Sequence, residues 1–217
     1  MRRVPYENSL SLVMFGLFVV FFAAQSVTGW HVYNEDQEEH GQGPSTYLAY
    51  LASSHFTEAV FENWESEFLQ MGAYVILTAI LLQKGSPESN PLTEAKASDP
   101  SRPRRRRDIP WPVRQGGWVL KVYENSLSLA LLSLFVVSFA LHALGGQSAY
   151  NHQQAQHGGD PVTLTGYLCT SQFWFESFQN WQSEFLSVAA LVVLSIFLRQ
   201  KGSPESKPVD HPHYETG

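Results

Sequence analysis

Four windows of the chain are almost wholly apolar: "LSLVMFGLFVVFFAAQSV" (10–27), "FLQMGAYVILTAILL" (68–82), "LSLALLSLFVVSFALHAL" (127–144) and "FLSVAALVVLSIFL" (185–198). None of them holds Lys, Arg, Asp or Glu, and the stretches between them are strongly polar. As a helix, each 18-residue window reaches about 27 Å, close to the hydrocarbon thickness of a bilayer. The second and fourth windows reach spanning length once the flanking Ser-Glu and Gln are counted. Four such helices in a soluble core would leave little amphipathic material to cover them. The pattern predicts an all-α membrane protein with four transmembrane helices, at about 9–29, 66–83, 126–146 and 183–199. The N-terminal window has the look of a secretory signal. The same segment recurs deep in the chain, so it is read as a span.

That recurrence organises the whole sequence. "YENSLSL" stands at 6–12 and again at 123–129, a shift of 117 (123 − 6). The same shift carries Tyr33-Asn34 to Tyr150-Asn151, His40-Gly41 to His157-Gly158, Pro44 to Pro161 and Tyr50 to Tyr167. It also carries "NWESEFL" to "NWQSEFL" and "QKGSPES" (83–89) to "QKGSPES" (200–206), with no gap between 6–91 and 123–208. A repeat of this size outranks local motifs in assigning a fold. It predicts two tandem hairpins, each a helix, a loop and a helix. With an even number of spans per unit the hairpins are parallel repeats. The expected organisation is a hairpin over 1–91, a linker over 92–119, a second hairpin over 120–208 and a tail over 209–217. Asn8 or Ser9, and Asn125 or Ser126, are expected to cap the first helix of each hairpin. Lys, Gly and Pro in "QKGSPES" are expected to stop the second.

Charge orients the hairpins. The net charge of −6 and the mean hydropathy of −0.16 both average over a segregated chain. Arg2 and Arg3 precede the first window, Arg199, Lys201 and Lys207 follow the fourth, and the remaining nine basic residues lie between Lys84 and Lys121. The hairpin loops, roughly 30–65 and 147–182, contain neither Lys nor Arg. By the positive-inside rule the termini and linker are cytoplasmic and both loops face out. The Pro-, Ser- and charge-rich linker reads as disordered. Its Arg102, Arg104, Arg105, Arg106 and Arg107 are candidates for contact with anionic lipid headgroups. Trp111 and Trp118 are expected at headgroup level. No nucleic-acid partner is expected.

Phe61, Trp64 and Phe68 share a helix face, as do Phe178, Trp181 and Phe185. Trp64 and Trp181 suit an aromatic interface belt, so the helices are expected to carry aromatic interfacial extensions on the outer side. The opposite face carries Asn63, Ser66, Glu67 and Gln70, matched by Asn180, Ser183, Glu184 and Ser187. A polar face at the membrane surface needs no ligand to explain it. The duplication adds a sharper reading, in which Asn63, Glu67, Asn180 and Glu184 converge as an outer vestibule for a cation or polar ligand. His31, His40, His55, His152 and His157 fall in the loops. Only His40 and His157 occur in both copies, and the spacings match no compact metal motif. No metal or cofactor is expected. Cys169 is the one cysteine, so an internal disulfide is excluded. No span holds an acid or base of the kind that marks a proton relay. No hydrolase or phosphate-binding motif is present, and an enzyme is not expected.

The residues "YENSLSL", "FENWESEFLQ" and "RQKGSPESKPV" resemble a family of small bacterial integral membrane proteins built from two such hairpins and described as a domain of unknown function. The resemblance implies residence in the bacterial inner membrane and brings no activity or site residues with it. The expected function is a non-enzymatic envelope or interaction component, self-associating or bound to a membrane-protein partner. The alternative is a small passive channel or transporter with an acidic outer vestibule.

Overall fold

A computed structural model of the chain describes residues 7–88 and 110–212. Among the described residues there are eight helices and no strand: α1 (Ser9–Glu39), α2 (Tyr47–Leu51), α3 (Ser54–Ile80), α4 (Trp111–Gln115), α5 (Gly117–Glu124), α6 (Ser126–Gln156), α7 (Leu164–Leu168) and α8 (Ser171–Phe197). The long runs of Leu, Val, Phe and Ala favour helix, because each backbone polar group is then satisfied within its own segment. Contacts divide the chain into two units, one of residues 1–61 and 141–173, the other of 62–140 and 174–217.

α1, α6 and α8 are long and apolar enough to cross a membrane. α3, which holds the expected span 66–83, is not among them. It is 27 residues long, but its first half carries Glu58, Glu62, Glu65 and Glu67, and the helix ends at Ile80 before Leu81 and Leu82. Its apolar part is short for that reason.

α1 and α6 are 31 residues each, about 46 Å at the helical rise, so both continue for several turns past their apolar windows. Gly41 (φ 71°) and Gly158 (φ 73°) then end them in the left-handed region. The amide of Gln42 donates to the Gln37 carbonyl at 2.8 Å, and that of Gly159 to the Gln154 carbonyl at 2.7 Å. These six-to-one bonds close the last turn.

In the first unit, asparagine clamps fold each loop back on its helix. Asn34 accepts from the Ser45 amide at 2.8 Å and donates to its carbonyl at 3.2 Å. Asn151 does the same with Val162, at 2.7 and 3.0 Å. Thr46 and Thr163 cap α2 and α7 by accepting from the amides of Ala49 and Gly166. Those caps place two buried tyrosines, Tyr50 and Tyr167, flat against α1 and α6. A Cβ at Gly29 would meet the Tyr50 hydroxyl, and one at Gly146 would meet that of Tyr167. Tyr33 and Phe56 pack on Tyr50, with ring centroids 5.5 and 5.3 Å away, and Tyr150 and Phe173 pack on Tyr167 at 5.6 and 5.4 Å. Gly145 allows α6 to approach the backbone of α3: a Cβ there would lie 2.9 Å from the Glu58 nitrogen.

In the second unit α3 lies on α6 through Gly72, whose missing Cβ leaves room for Leu131 and Leu132. Where disorder is expected over 92–119, the described part of the linker is helical: α4 and the first residues of α5 fill 111–119. Arg102 and Arg104 to Arg107 lie outside the described residues, as does most of the rest of the linker. Asn125 both ends α5 and precedes α6: its carbonyl accepts from the Leu129 amide at 2.9 Å, while its side-chain amide turns back and donates to the Lys121 carbonyl at 2.8 Å. Asn8 takes the N-cap position of α1 without a capping bond from its side chain.

The glycine contacts predict a graded series. Gly145→Ala and Gly146→Ala force a methyl against backbone and against a wholly buried ring, an overpacking that costs roughly 1–3 kcal/mol. Gly16→Ala, with nothing within 4 Å, serves as the neutral control. Thermal unfolding of the detergent-solubilised chain should rank the first two well below wild type and leave the third unchanged.

Candidate functional site

The second unit carries a polar seam between α3 and α8. Apolar positions alone would have let the helices pack as a greasy pair; instead the inward residues include Glu65, Ser66 and Gln70, all buried. Glu65 is 0% exposed, and the indole N–H of Trp181 donates to its Oε1 at 3.0 Å. One turn earlier, Asn180 donates to Glu62 Oε1 at 2.5 Å. The Trp181 ring is held by Phe135, Trp174 and Phe178, with centroids 6.4, 6.4 and 5.5 Å away. These ring contacts fix the direction of the N–H. Ser66 turns its hydroxyl back to the Asn63 carbonyl at 2.7 Å, as helix serines do where no water competes.

Two of the four residues expected at a vestibule come close. Glu67 and Glu184 are near enough for their carboxylates to repel. Asn180 belongs to the seam through Glu62, whereas Asn63 lies exposed on α3. Trp181, expected to anchor at the lipid interface, is half-buried and directs its one hydrogen-bond donor at Glu65. The exposed aromatic residues of α8 are Trp174, Phe175, Phe178 and Phe185. Sequence reasoning missed Glu62 and Glu65. The signal was present: 62, 65, 66 and 70 follow helical spacing, and all four are polar.

Two other clusters stand apart from the seam. In the first unit the rings of His40 and His157 meet edge to face with centroids 5.9 Å apart, and His40 Nδ1 lies 2.8 Å from the Asp36 carbonyl and 3.6 Å from its carboxylate. Among the described residues no three His, Cys, Asp or Glu side chains converge as a metal would need. In the second unit the Tyr74 hydroxyl donates to Glu88 at 2.9 Å, and Glu88 shares a hydrogen bond with Glu205. Positions 88 and 205 are again 117 apart (205 − 88). Burial pushes the Glu88 carboxyl above its ordinary range; the bond with Glu205 and that residue's charge push the same way, and the Tyr74 hydroxyl opposes them.

Two outcomes follow from these contacts. Trp181→Phe strips a buried carboxylate of an N–H donor and should lower stability by about 1–3 kcal/mol, whereas Glu65→Gln keeps an acceptor in place and should cost less. Unfolding of both variants in detergent tests the order. Glu88 binds its proton more tightly folded than unfolded. Its contribution to stability is therefore full below the ordinary value of 4.5 and is lost as pH rises through the raised one. Midpoints measured from about pH 4 to about pH 8 should fall with a slope that Glu88→Gln removes.

No curated protein and no solved structure matches the chain. A family model does, over residues 1–217, and by that match this membrane-embedded chain belongs to the family described as "Domain of unknown function (DUF6766)".

Proposed function

We propose that the chain is a non-enzymatic component of a bacterial inner membrane, crossing it four times as two tandem hairpins with both termini cytoplasmic. α3 then spans together with the residues that follow Ile80, its acidic first half standing at the membrane surface. The outer part of the first unit, from the ends of α1 and α6 through α2 and α7, becomes a structured head outside the bilayer, acting as an interaction surface. What carries this reading is the head itself: clamped asparagines, capped short helices and tyrosines seated on glycine hold loops that would otherwise be free to move. Beside them α1 exposes Glu35, Asp36, Glu38 and Glu39 on a rigid helix, and the chain has no Lys or Arg from 4 to 83. A partner with a basic surface, or a second copy meeting it through other residues, suits such a head.

A second reading is favoured by one observation, the wholly buried Glu65 followed by buried Ser66 and Gln70. Polar and ionisable groups in membrane helices mark ion or substrate paths. On this reading the seam, with Glu62, Glu67, Asn180 and Glu184 at its mouth, admits a cation to a small passive channel.

Cys169 is exposed and is the one cysteine of the chain, so it reports topology without any substitution. A membrane-impermeant maleimide should label it in intact spheroplasts and fail to do so in inverted vesicles. The reverse pattern sinks the proposed orientation. Proteoliposomes separate the two functions: cation flux lost in Glu65→Gln with the fold intact selects the channel, and no flux above empty vesicles selects the interaction component.

A further inference from the structure

We propose that α4 and α5 lie in the plane of the membrane as an amphipathic cuff, inserting Trp111, Trp118 and Val122 among the lipids and engaging anionic headgroups through Arg114 and Lys121. The proposal rests on the reading of α6 as a membrane span, to which α5 is joined through a single residue, Asn125.

The residue pattern comes first. At 100° per residue, Trp118, Val119, Val122 and Tyr123 share one side of α5, while Gly117, Lys121 and Glu124 share the other. Little of the apolar side is covered by the protein. Trp118 is 75% exposed, Trp111 60%, Val122 49% and Val113 43%. In water such a surface is a liability, and tryptophan flanked by a lysine is the usual composition of a helix lying at a bilayer interface.

The backbone supplies the geometry. Gly116 (φ 69°) and Gly117 (φ 60°) both take the left-handed region and break the chain between α4 and α5. Asn125 (φ −110°, ψ 11°) then breaks it between α5 and α6. Its side chain satisfies the Lys121 carbonyl, so the helix ends there without leaving that acceptor bare. A break just before an apolar span lets α5 leave the line of α6, as an in-plane helix must.

Charge names the occupant. Within α4 and α5, Arg114 and Lys121 stand against one acid, Glu124, and the sequence just ahead of them adds Arg102, Arg104, Arg105, Arg106 and Arg107 against Asp108. A surface both apolar and basic, tethered to a span, fits a bilayer face rich in anionic lipid. A protein partner or a second copy would need neither the excess of cations nor the adjoining span.

Nitroxide labels on the full-length chain in nanodiscs test this, with Cys169→Ser as background. Val122→Cys reads the apolar side of α5, Glu124→Cys the polar side and Val136→Cys the span. With phosphatidylglycerol present, position 122 should collide with oxygen more than with a water-soluble nickel complex. Position 124 should do the opposite. The ratio at 122 should fall roughly threefold in purely zwitterionic discs, or when Trp118→Ser is added. If 122 and 124 are equally water-accessible while 136 reads hydrocarbon, the cuff is overturned and the span stands. If 136 itself reads water, the membrane reading of α6 has failed instead. A position 122 shielded from both reagents indicates a protein contact and overturns the proposal. Equal depth in both lipids overturns its headgroup component.

Discussion

A helix whose sides nothing in the protein covers must meet a solvent as apolar as itself, and the rest of this structure follows from that constraint. Only 6% of the apolar window of α1 is buried within the protein, and its Phe15, Phe21 and Leu10 are as exposed as surface lysines would be. Water would hydrate such a rod at a cost of about 25 cal/mol for every Å² of apolar surface, far more than the stability of a small domain could offset. In hydrocarbon that cost disappears, but backbone hydrogen bonds must then close inside each segment. The regular structure among the described residues is accordingly all helical, and the tight turns at Gly41, Gly158, Gly85 and Gly202 fall outside the apolar windows.

The same constraint turns the usual distribution of side chains around. Lipid cannot solvate a hydroxyl or a carboxylate, so polar residues on the helices look for each other or for their own backbone. Ser133, Ser195 and Thr78 bond back to carbonyls three or four residues earlier. Glu65 turns toward α8, Ser66 and Gln70 are buried as well, and Phe178 and Phe185 are exposed. In a water-soluble pair the two faces would be exchanged.

This inversion separates what was legible in the sequence from what was not. The apolar windows and the 117-residue shift could be read directly, because each depends on residue type at fixed spacing. The glycines that stop α1 and α6 were not anticipated, and α3 and α8 end at Ile80 and Phe197, ahead of the "QKGSPES" segments expected to stop them. The direction of a helix face depends on the solvent outside it. Phe61, Trp64 and Phe68 suit an anchoring face by residue type, whereas Glu62 and Glu65 accept hydrogen bonds from α8, a partner that nothing in their own segment signals. The linker shows a different limit. Its Pro and Arg content argues for disorder, but "WPVRQGGWVLKVYE" has a local amphipathic period that the composition of the whole segment conceals.

At several positions 117 apart that agree, the surroundings agree as well: Tyr50 on Gly29 and Tyr167 on Gly146, Asn34 on Ser45 and Asn151 on Val162, Glu88 beside Glu205. Where they differ, the difference collects in the seam. Glu62 and Glu65 correspond to Gln179 and Gln182, whereas their donors Asn180 and Trp181 correspond to Asn63 and Trp64. The donors are thus available from both halves and the acids from one. A glutamine at each acidic position would accept the same two hydrogen bonds without carrying charge into a region of chain that has no Lys or Arg. Gln179 and Gln182 are instead exposed, and the Gln182 amide donates to the Gln179 carbonyl at 3.2 Å. The asymmetry of the seam thus goes with burial: Glu65 is wholly buried against Trp181 in one copy, and Gln182 is exposed in the other.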